Sequence, residues 1–216
     1  ANATVSNSGT ITGGKGGSGG SGDTLQDFGG NAVGGSGVSF AGDGGSLTNS
    51  GTIAGGDVQA ANSVGGTGVN VNAAGARVTV TNTGSIVGGI GGAGFNPGDA
   101  NYGNGGVGLF ANGNVSIVNS GDIAGGKGGS ANAGGEAGAG IVATAGAGQS
   151  IQITNQNGGV IRAGRGGNQT SGDLGGNAIT ASGNVSITNQ AGGSILGNNL
   201  GLSDKSFTGS VGIQAD

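Results

Sequence analysis

Asp23, Asp27 and Asp57 come closest to a reactive set in this chain. Carboxylates on neighbouring turns of a repeat protein can hold a calcium ion or work as an acid/base pair on a polysaccharide. The rest of the inventory argues against that chemistry. The chain has 10 Asp+Glu, 6 Lys+Arg and no His, Cys, Met or Trp, for a net charge of −4. Without His the commonest general base and the usual zinc ligand are missing, and without Cys there are no disulfides or thiolate metal sites. The scattered cations build no basic stripe that would neutralise phosphates, so nucleic acid is not an expected partner. The segment from Gly19 to Leu25 is one residue short of a calcium-binding nonapeptide, and that motif works only in tandem. Scattered Gly-x-Gly-x-x-Gly matches open no helix onto a phosphate. Lys15, Asp57, Ile90, Lys127 and Arg165 all follow Gly-Gly (Ala-Gly for Arg165), and their mixed signs read as solvated loop tips. Sequons at Asn2, Asn114, Asn168 and Asn184 are what so Asn-, Ser- and Thr-rich a chain produces by chance. No catalytic residue, metal or cofactor is expected.

Hydroxyl groups form a better pattern. One position recurs as Ser6, Thr48, Thr81, Val118, Thr154 and Thr188, and the position two residues earlier as Thr4, Ser46, Thr79, Ser116, Gln152 and Ser186. On a stacked sheet these become two parallel outward columns. They are either ordinary solvent-facing strand residues, a self-association face, or a face that orders water as ice-binding surfaces do. Val118 and Gln152 interrupt the array and weigh against the last. A second candidate contact region is the long inserts that carry Phe28, Phe95, Pro97 and Tyr102, because binding groups concentrate on loops.

The elements that must position these groups are repeats. Val5-Ser6-Asn7-Ser8-Gly9-Thr10-Ile11 returns as Leu47-Thr48-Asn49-Ser50-Gly51-Thr52-Ile53, with further copies beginning at Val80, Ile117, Ile153 and Ile187. The repeats start near residues 3, 45, 77, 115, 151 and 185, and their shared Asn recurs at intervals of 33 to 42 residues. A fixed core with elastic inserts at this period marks a solenoid. Three apolar columns emerge: Val5, Leu47, Val80, Ile117, Ile153 and Ile187; then Ile11, Ile53, Ile86, Ile123, Ile161 and Ile195; then Val38, Val69, Leu109, Ile141, Ile179 and Ile213. In the first repeat Val33 competes with Val38 for the third column. β-Branched residues dominate, as a pleated surface prefers, and no stretch keeps helical spacing. The chain has 61 Gly and 1 Pro in 216 residues, a composition that without a repeat would favour disorder. The in-register aliphatics and low charge favour order instead.

The expected fold is all-β: one parallel, right-handed β-helix over residues 1–216, about six coils of three short strands with Gly-rich inserts. The inserts open with Ile-x-Gly-Gly-x-Gly-Gly, and either float or lie in extended passes where only Gly fits. The recurring Asn7, Asn49, Asn82, Asn119, Asn155 and Asn189 sit at the corner between the first two strands. Two explanations stand: a corner backbone that tolerates left-handed φ/ψ, or a stack of side-chain amides bonded to one another.

Repeats of Asn-Ser-Gly-Thr-Ile-x-Gly-Gly, low charge, no Cys and a pI near 4.4 resemble the passenger domain of a Gram-negative autotransporter. The resemblance covers essentially the whole chain, and its motif marks repeat architecture rather than any one member. It implies export, passage through a C-terminal outer-membrane β-barrel, and folding at the cell surface, the present chain being an excerpt of a longer passenger. A Cys-free chain suits passage through a narrow pore while unfolded. The resemblance also implies a non-enzymatic adhesin or stalk that contacts a host or bacterial surface receptor, a glycan or a second copy of itself. Serine-protease members carry a His-containing triad, which a chain without His cannot supply. A carbohydrate-active β-helix enzyme is the alternative, through Asp23, Asp27 and Asp57.

Overall fold

Alternating aliphatics with Gly at the corners build a parallel β-solenoid. In a computed structural model the described residues are 2–17, 32–60, 63–92, 103–129, 135–167, 175–197 and 212–215, and they contain strands but no helix. The first wall is formed by β1 (Ala3–Asn7), β4 (Gly45–Asn49), the C-terminal part of β6 (Val69–Asn82) and of β8 (Leu109–Asn119), β11 (Ile151–Asn155) and β14 (Val185–Asn189). The second wall is β2 (Thr10–Thr12), β5 (Thr52–Ala54), β7 (Ser85–Val87), β9 (Asp122–Ala124), β12 (Val160–Arg162) and β15 (Ser194–Leu196). The third is β3 (Val38–Phe40), the N-terminal parts of β6 and β8, β10 (Ile141–Thr144), β13 (Ile179–Ser182) and β16 (Ile213–Ala215). Walls one and three belong to a 10-stranded sheet, and wall two is a 6-stranded sheet in the order β15-β12-β9-β7-β5-β2.

All three aliphatic columns stack as their spacing predicts. Val5 pairs with Leu47, Leu47 with Val80, Val80 with Ile117, Ile117 with Ile153, and Ile153 with Ile187. The isoleucines of wall two stack from Ile11 through Ile53, Ile86, Ile123 and Ile161 to Ile195. Val38 pairs with Val69 in wall three, whereas Val33 is 66% exposed and makes only an isolated bridge to Val64.

Two expectations change. The count of six equivalent coils is too high for the enclosed part, which is about four turns. Ile53, Ile86, Ile123 and Ile161 are fully buried, but Ile11 and Ile195 are only partly so, because their coils have a neighbour on one side. Separate short strands also merge. β6 has 14 residues and β8 has 11, each running from wall three into wall one without a break, with a register shift between Ala73 and Val78. Gly113 lies at that bend with φ +102, and a Cβ there would meet the Ala73 carbonyl. The other coils turn instead at Gly44, Gly148 and Gly183, each with positive φ.

Ile123→Ala removes a fully buried side chain with an Ile above and below it, so about 2–5 kcal/mol should be lost. Ile11→Ala in the end coil should cost less than half as much. Urea midpoints of the two variants at constant m-value measure the difference.

Beyond Ile123 and its equivalents the chain leaves the apolar core as a Gly-lined pass, and a second pass returns to wall three. The two passes are bonded to each other in a zigzag. Gly56 N–H donates to Gly35 O, Gly66 to Gly56, Gly89 to Gly66, Gly106 to Gly89, Gly126 to Gly106, Gly138 to Gly126 and Gly164 to Gly138, at 2.7–3.0 Å. Within the outgoing pass, donors to the next coil come three residues apart: Gly13 and Gly16, Gly55 and Val58, Gly88 and Gly91, Gly125 and Gly128. Three residues is the repeat of the polyproline II conformation. Two positions of each triplet face the partner pass or a stacked coil, and the third faces water. Lys15, Asp57, Ile90, Lys127 and Arg165 occupy that third position, and all are exposed. The inserts therefore begin as ordered, close-packed passes.

Candidate functional site

The outer face of wall one is where register, burial and side-chain type coincide. Its inward positions hold the first aliphatic column and its outward positions the hydroxyls. Ser6 pairs with Thr48, Thr48 with Thr81, Thr81 with Val118, Val118 with Thr154, and Thr154 with Thr188. The second outward column runs in the same register through Thr4, Ser46, Thr79, Ser116, Gln152 and Ser186. Rows are about 4.8 Å apart and the columns about 6.7 Å. Thr48 and Thr188 are exposed, while Thr81 and Thr154 are half-buried between their neighbours. No position of either column is charged.

Gln152 breaks its hydroxyl column for a visible reason. Arg77, on the rim, donates from Nη1 to Gln152 Oε1 and from Nη2 to Ser150 Oγ, both at 2.9 Å. Next to it Asn114 donates to the Gly75 carbonyl at 2.7 Å and accepts from Ser150 N–H at 2.9 Å. The sequence offered no signal for this rim network, since Arg77 and Gln152 lie 75 residues apart. Beside the rim, Ala145 to Ser150, Gly183 and Asn184 line an open groove without a charged side chain.

The corner amides tie each row of the face to the next. Asn7 Nδ2 donates to Asn49 Oδ1 at 2.7 Å, and the pattern continues from Asn49 to Asn82, Asn82 to Asn119, Asn119 to Asn155 and Asn155 to Asn189, each at 2.8 Å. From Asn7 to Asn155 each Nδ2 also donates to a carbonyl of the next coil, as Asn82 does to Asp122 O at 3.2 Å and Asn119 to Val160 O at 3.3 Å. Asn49, Asn82, Asn119 and Asn155 are fully buried. Of the two explanations for this residue, the bonded amide stack is the one present. The corner-backbone explanation is corrected: each Asn ends an extended strand, and the left-handed residues of the two longer corners are Gly158 (φ +81) and Gly192 (φ +82). A buried amide whose donors and acceptor are all used cannot slip one residue along the strand without orphaning them. The hydroxyl rows are thereby held in line.

Phe28, Phe95, Tyr102, Asp23 and Asp27 lie outside the described residues. Asp57 is described: it is exposed at a pass tip, and its Oδ1 accepts from Ile90 N–H at 2.8 Å. Among the described residues no three His, Cys, Asp or Glu side chains come together as a metal site. On the second wall Arg162 donates from Nε to Asp122 Oδ1 at 3.0 Å and from Nη2 to Asp122 Oδ2 at 2.8 Å. The hydrogen bond to Asp122, more than the charge itself, raises the Arg162 pKa against the opposing effect of burial. The pair is partly exposed, so it adds about 0–1 kcal/mol.

Comparison of the chain with protein-family models, with curated proteins and with solved structures gave no match.

Proposed function

We propose that this chain is a non-enzymatic, surface-displayed β-solenoid stalk of the autotransporter passenger type, which makes adhesive contacts through the outer face of its first wall. The observation that carries the proposal is the pair of uncharged hydroxyl columns held in register over the whole stack. A solvated face of this length normally mixes in Lys or Glu, which discourage association. Here Thr methyl and hydroxyl groups alternate with Ser, so an identical face can pack against it with hydrogen bonds and little desolvation of charge. A second copy on a neighbouring cell is the partner that fits best. In this proposal the winding is right-handed, as parallel crossovers overwhelmingly are. The home of the protein is the outer surface of a Gram-negative cell, reached through a C-terminal barrel.

The test is to display the chain on cells and measure how fast they settle. Replacing Thr48, Thr81, Thr154 and Thr188 together by Lys places four like charges on the face, and settling should fall to that of undisplayed cells. Settling at the parental rate by correctly folded, displayed variant would remove the hydroxyl face from the proposal.

A further inference from the structure

The outer face of wall three carries the one aromatic ring that the described strands turn outward. β8 alternates between buried and part-exposed positions, so Leu109 and Ala111 point into the core while Phe110 and Asn112 point out. Phe110 pairs with Asn70 on one side and Val142 on the other, and the same column continues to Ser39 and Thr180. Three residues before Phe110, Val107 holds the matching place on the returning pass. Its carbonyl accepts from Gly68 N–H, and the Ala139 carbonyl accepts from Gly108 N–H, so Thr67, Val107 and Ala139 form a neighbouring column. Phe110, Val142, Val107 and Ala139 are therefore adjacent on one surface in the middle of the stack, and each is half-buried.

Uncharged polar groups surround these four. Asn70 Oδ1 accepts from Asn72 Nδ2 at 3.2 Å, and Asn72 Oδ1 accepts from Asn112 Nδ2 at 3.1 Å. Among the described residues this leaves the Asn70 amide hydrogens and Asn112 Oδ1 without a partner. The first lies beside Phe110 on the next strand, and the second lies two residues along its own strand. No Lys, Arg, Asp or Glu stands in the columns of Thr67, Asn70 or Asn72, so a charged ligand would meet no counter-charge there. With rows about 4.8 Å apart and a step of about 9 Å from Val107 to Phe110, the apolar patch measures about 100 Å². A stable second copy needs about 800 Å² per partner, whereas a single sugar ring is of the right size.

We infer that this patch is a subsite for a neutral, β-linked pyranose chain of the gluco configuration, one ring of which lies on Phe110. Equatorial substituents leave such a ring with C–H bonds on both faces and hydroxyls around its rim. The C–H face meets the aromatic ring and Val142, where both surfaces lose water. A rim hydroxyl both donates and accepts, so one accepts from the Asn70 amide and another donates to Asn112 Oδ1. An extended β-linked chain can run on across the sheet, whereas an α-linked chain curls away from it. An axial hydroxyl would be pressed against the ring without a partner. The subsite uses neither hydroxyl column of wall one, so it stands or falls independently of the proposed adhesive face.

Calorimetric titration of the chain with cellotetraose is the test. A ligand held on one open face should bind with a Kd of about 1 mM. Phe110→Ser gives this column the residue type already present at Ser39, and it should weaken binding at least about tenfold. Phe110→Trp enlarges the platform and should tighten binding about threefold. Circular dichroism establishes that each variant remains folded, and the gain from Phe110→Trp cannot come from misfolding. Maltotetraose, which is α-linked, should bind at least about tenfold more weakly than cellotetraose. The chain with Thr48, Thr81, Thr154 and Thr188 replaced by Lys should bind cellotetraose as the unaltered chain does, which separates this subsite from the adhesive face. Absence of binding at about 20 mM cellotetraose overturns the inference, as do equal affinity in Phe110→Ser and a preference for maltotetraose. A dimer of the unaltered chain that Phe110→Ser dissolves would also overturn it, by giving the patch to a second copy.

Discussion

Gly106→Ala should unfold the middle of the solenoid, while Gly14→Ala should be nearly silent. A Cβ on Gly106 would lie 2.0 Å from the Gly66 carbonyl oxygen and within 2.7 Å of other backbone atoms of that pass. Only backbone surrounds it, so no side chain can swing aside, and the passes must separate. Separation also breaks the zigzag bonds from Gly106 to Gly89 and from Gly126 to Gly106, both under 2.9 Å. A loss of about 3–5 kcal/mol follows, at the severe end for a single substitution. Gly14 occupies the outgoing pass of the first coil, where a new Cβ would have nothing within 4 Å. Its later equivalents Gly56, Gly89, Gly126 and Gly164 would each strike the Gly carbonyl one coil earlier, at 1.9–2.1 Å. The corner glycines repeat the contrast: Gly9 is free, but Gly51, Gly84 and Gly121 would each strike the preceding coil at 2.1 Å. Ala at position 14 or 9 should therefore change stability by less than about 1 kcal/mol, with a small gain possible from a stiffer unfolded chain. Chemical denaturation of Gly106→Ala, Gly84→Ala, Gly14→Ala and Gly9→Ala makes the comparison. Equal effects at all four positions would mean that the coils are not stacked in this order.

Asn119→Ala should be the most damaging change at the corner. The substitution strands the Asn82 amide hydrogen that now reaches Asn119 Oδ1 and the Asn155 Oδ1 that now accepts from Asn119. It also removes the donors to Gly121 O and Val160 O. Each orphaned buried group costs about 1–3 kcal/mol, so a total of about 3–5 kcal/mol is expected. Asn119→Asp separates charge from shape. At neutral pH the carboxylate would be buried, facing Asn155 Oδ1 with no proton to donate. Burial raises the folded-state pKa above the unfolded value of about 3.9, so the folded variant binds more protons than the unfolded one. The sign follows: this variant gains stability as pH falls and loses it as pH rises through the folded-state pKa. Unfolding free energies of Asn119→Asp that rise toward neutral pH would contradict a buried amide at this site.

The sequence carried the three walls because branched aliphatics mark which face of a strand points inward, and Ile11 to Ile195 recur at one place in every repeat. It could not decide between the two roles of Asn, since a repeated residue type says nothing about where its side chain turns; the bonds from Asn7 through Asn189 do. The pairing of the two Gly passes was hidden for a related reason. Glycine offers no side-chain alternation to read, so Gly35, Gly66, Gly106 and Gly138 looked like loop rather than the partners of Gly56, Gly89, Gly126 and Gly164. The joining of walls three and one in β6 and β8 also lacked a marker, because Asn-Gly at 112 and 113 reads as a turn yet sits here in a bent, continuous strand. For the candidate site, the hydroxyl columns were fully readable from alternation. Arg77 and its hold on Gln152 were not, being a contact across two coils.

The Gly zigzag also has a bearing on how such a chain can change over time. Asn49 and Asn82 are 33 residues apart and Asn7 and Asn49 are 42 apart, yet both pairs keep the same amide bond. The strands keep one register although the number of residues between the two passes differs from coil to coil. Each layer thus behaves as a socket of fixed shape with an adjustable tether, into which foreign peptide can be spliced without retuning the neighbours.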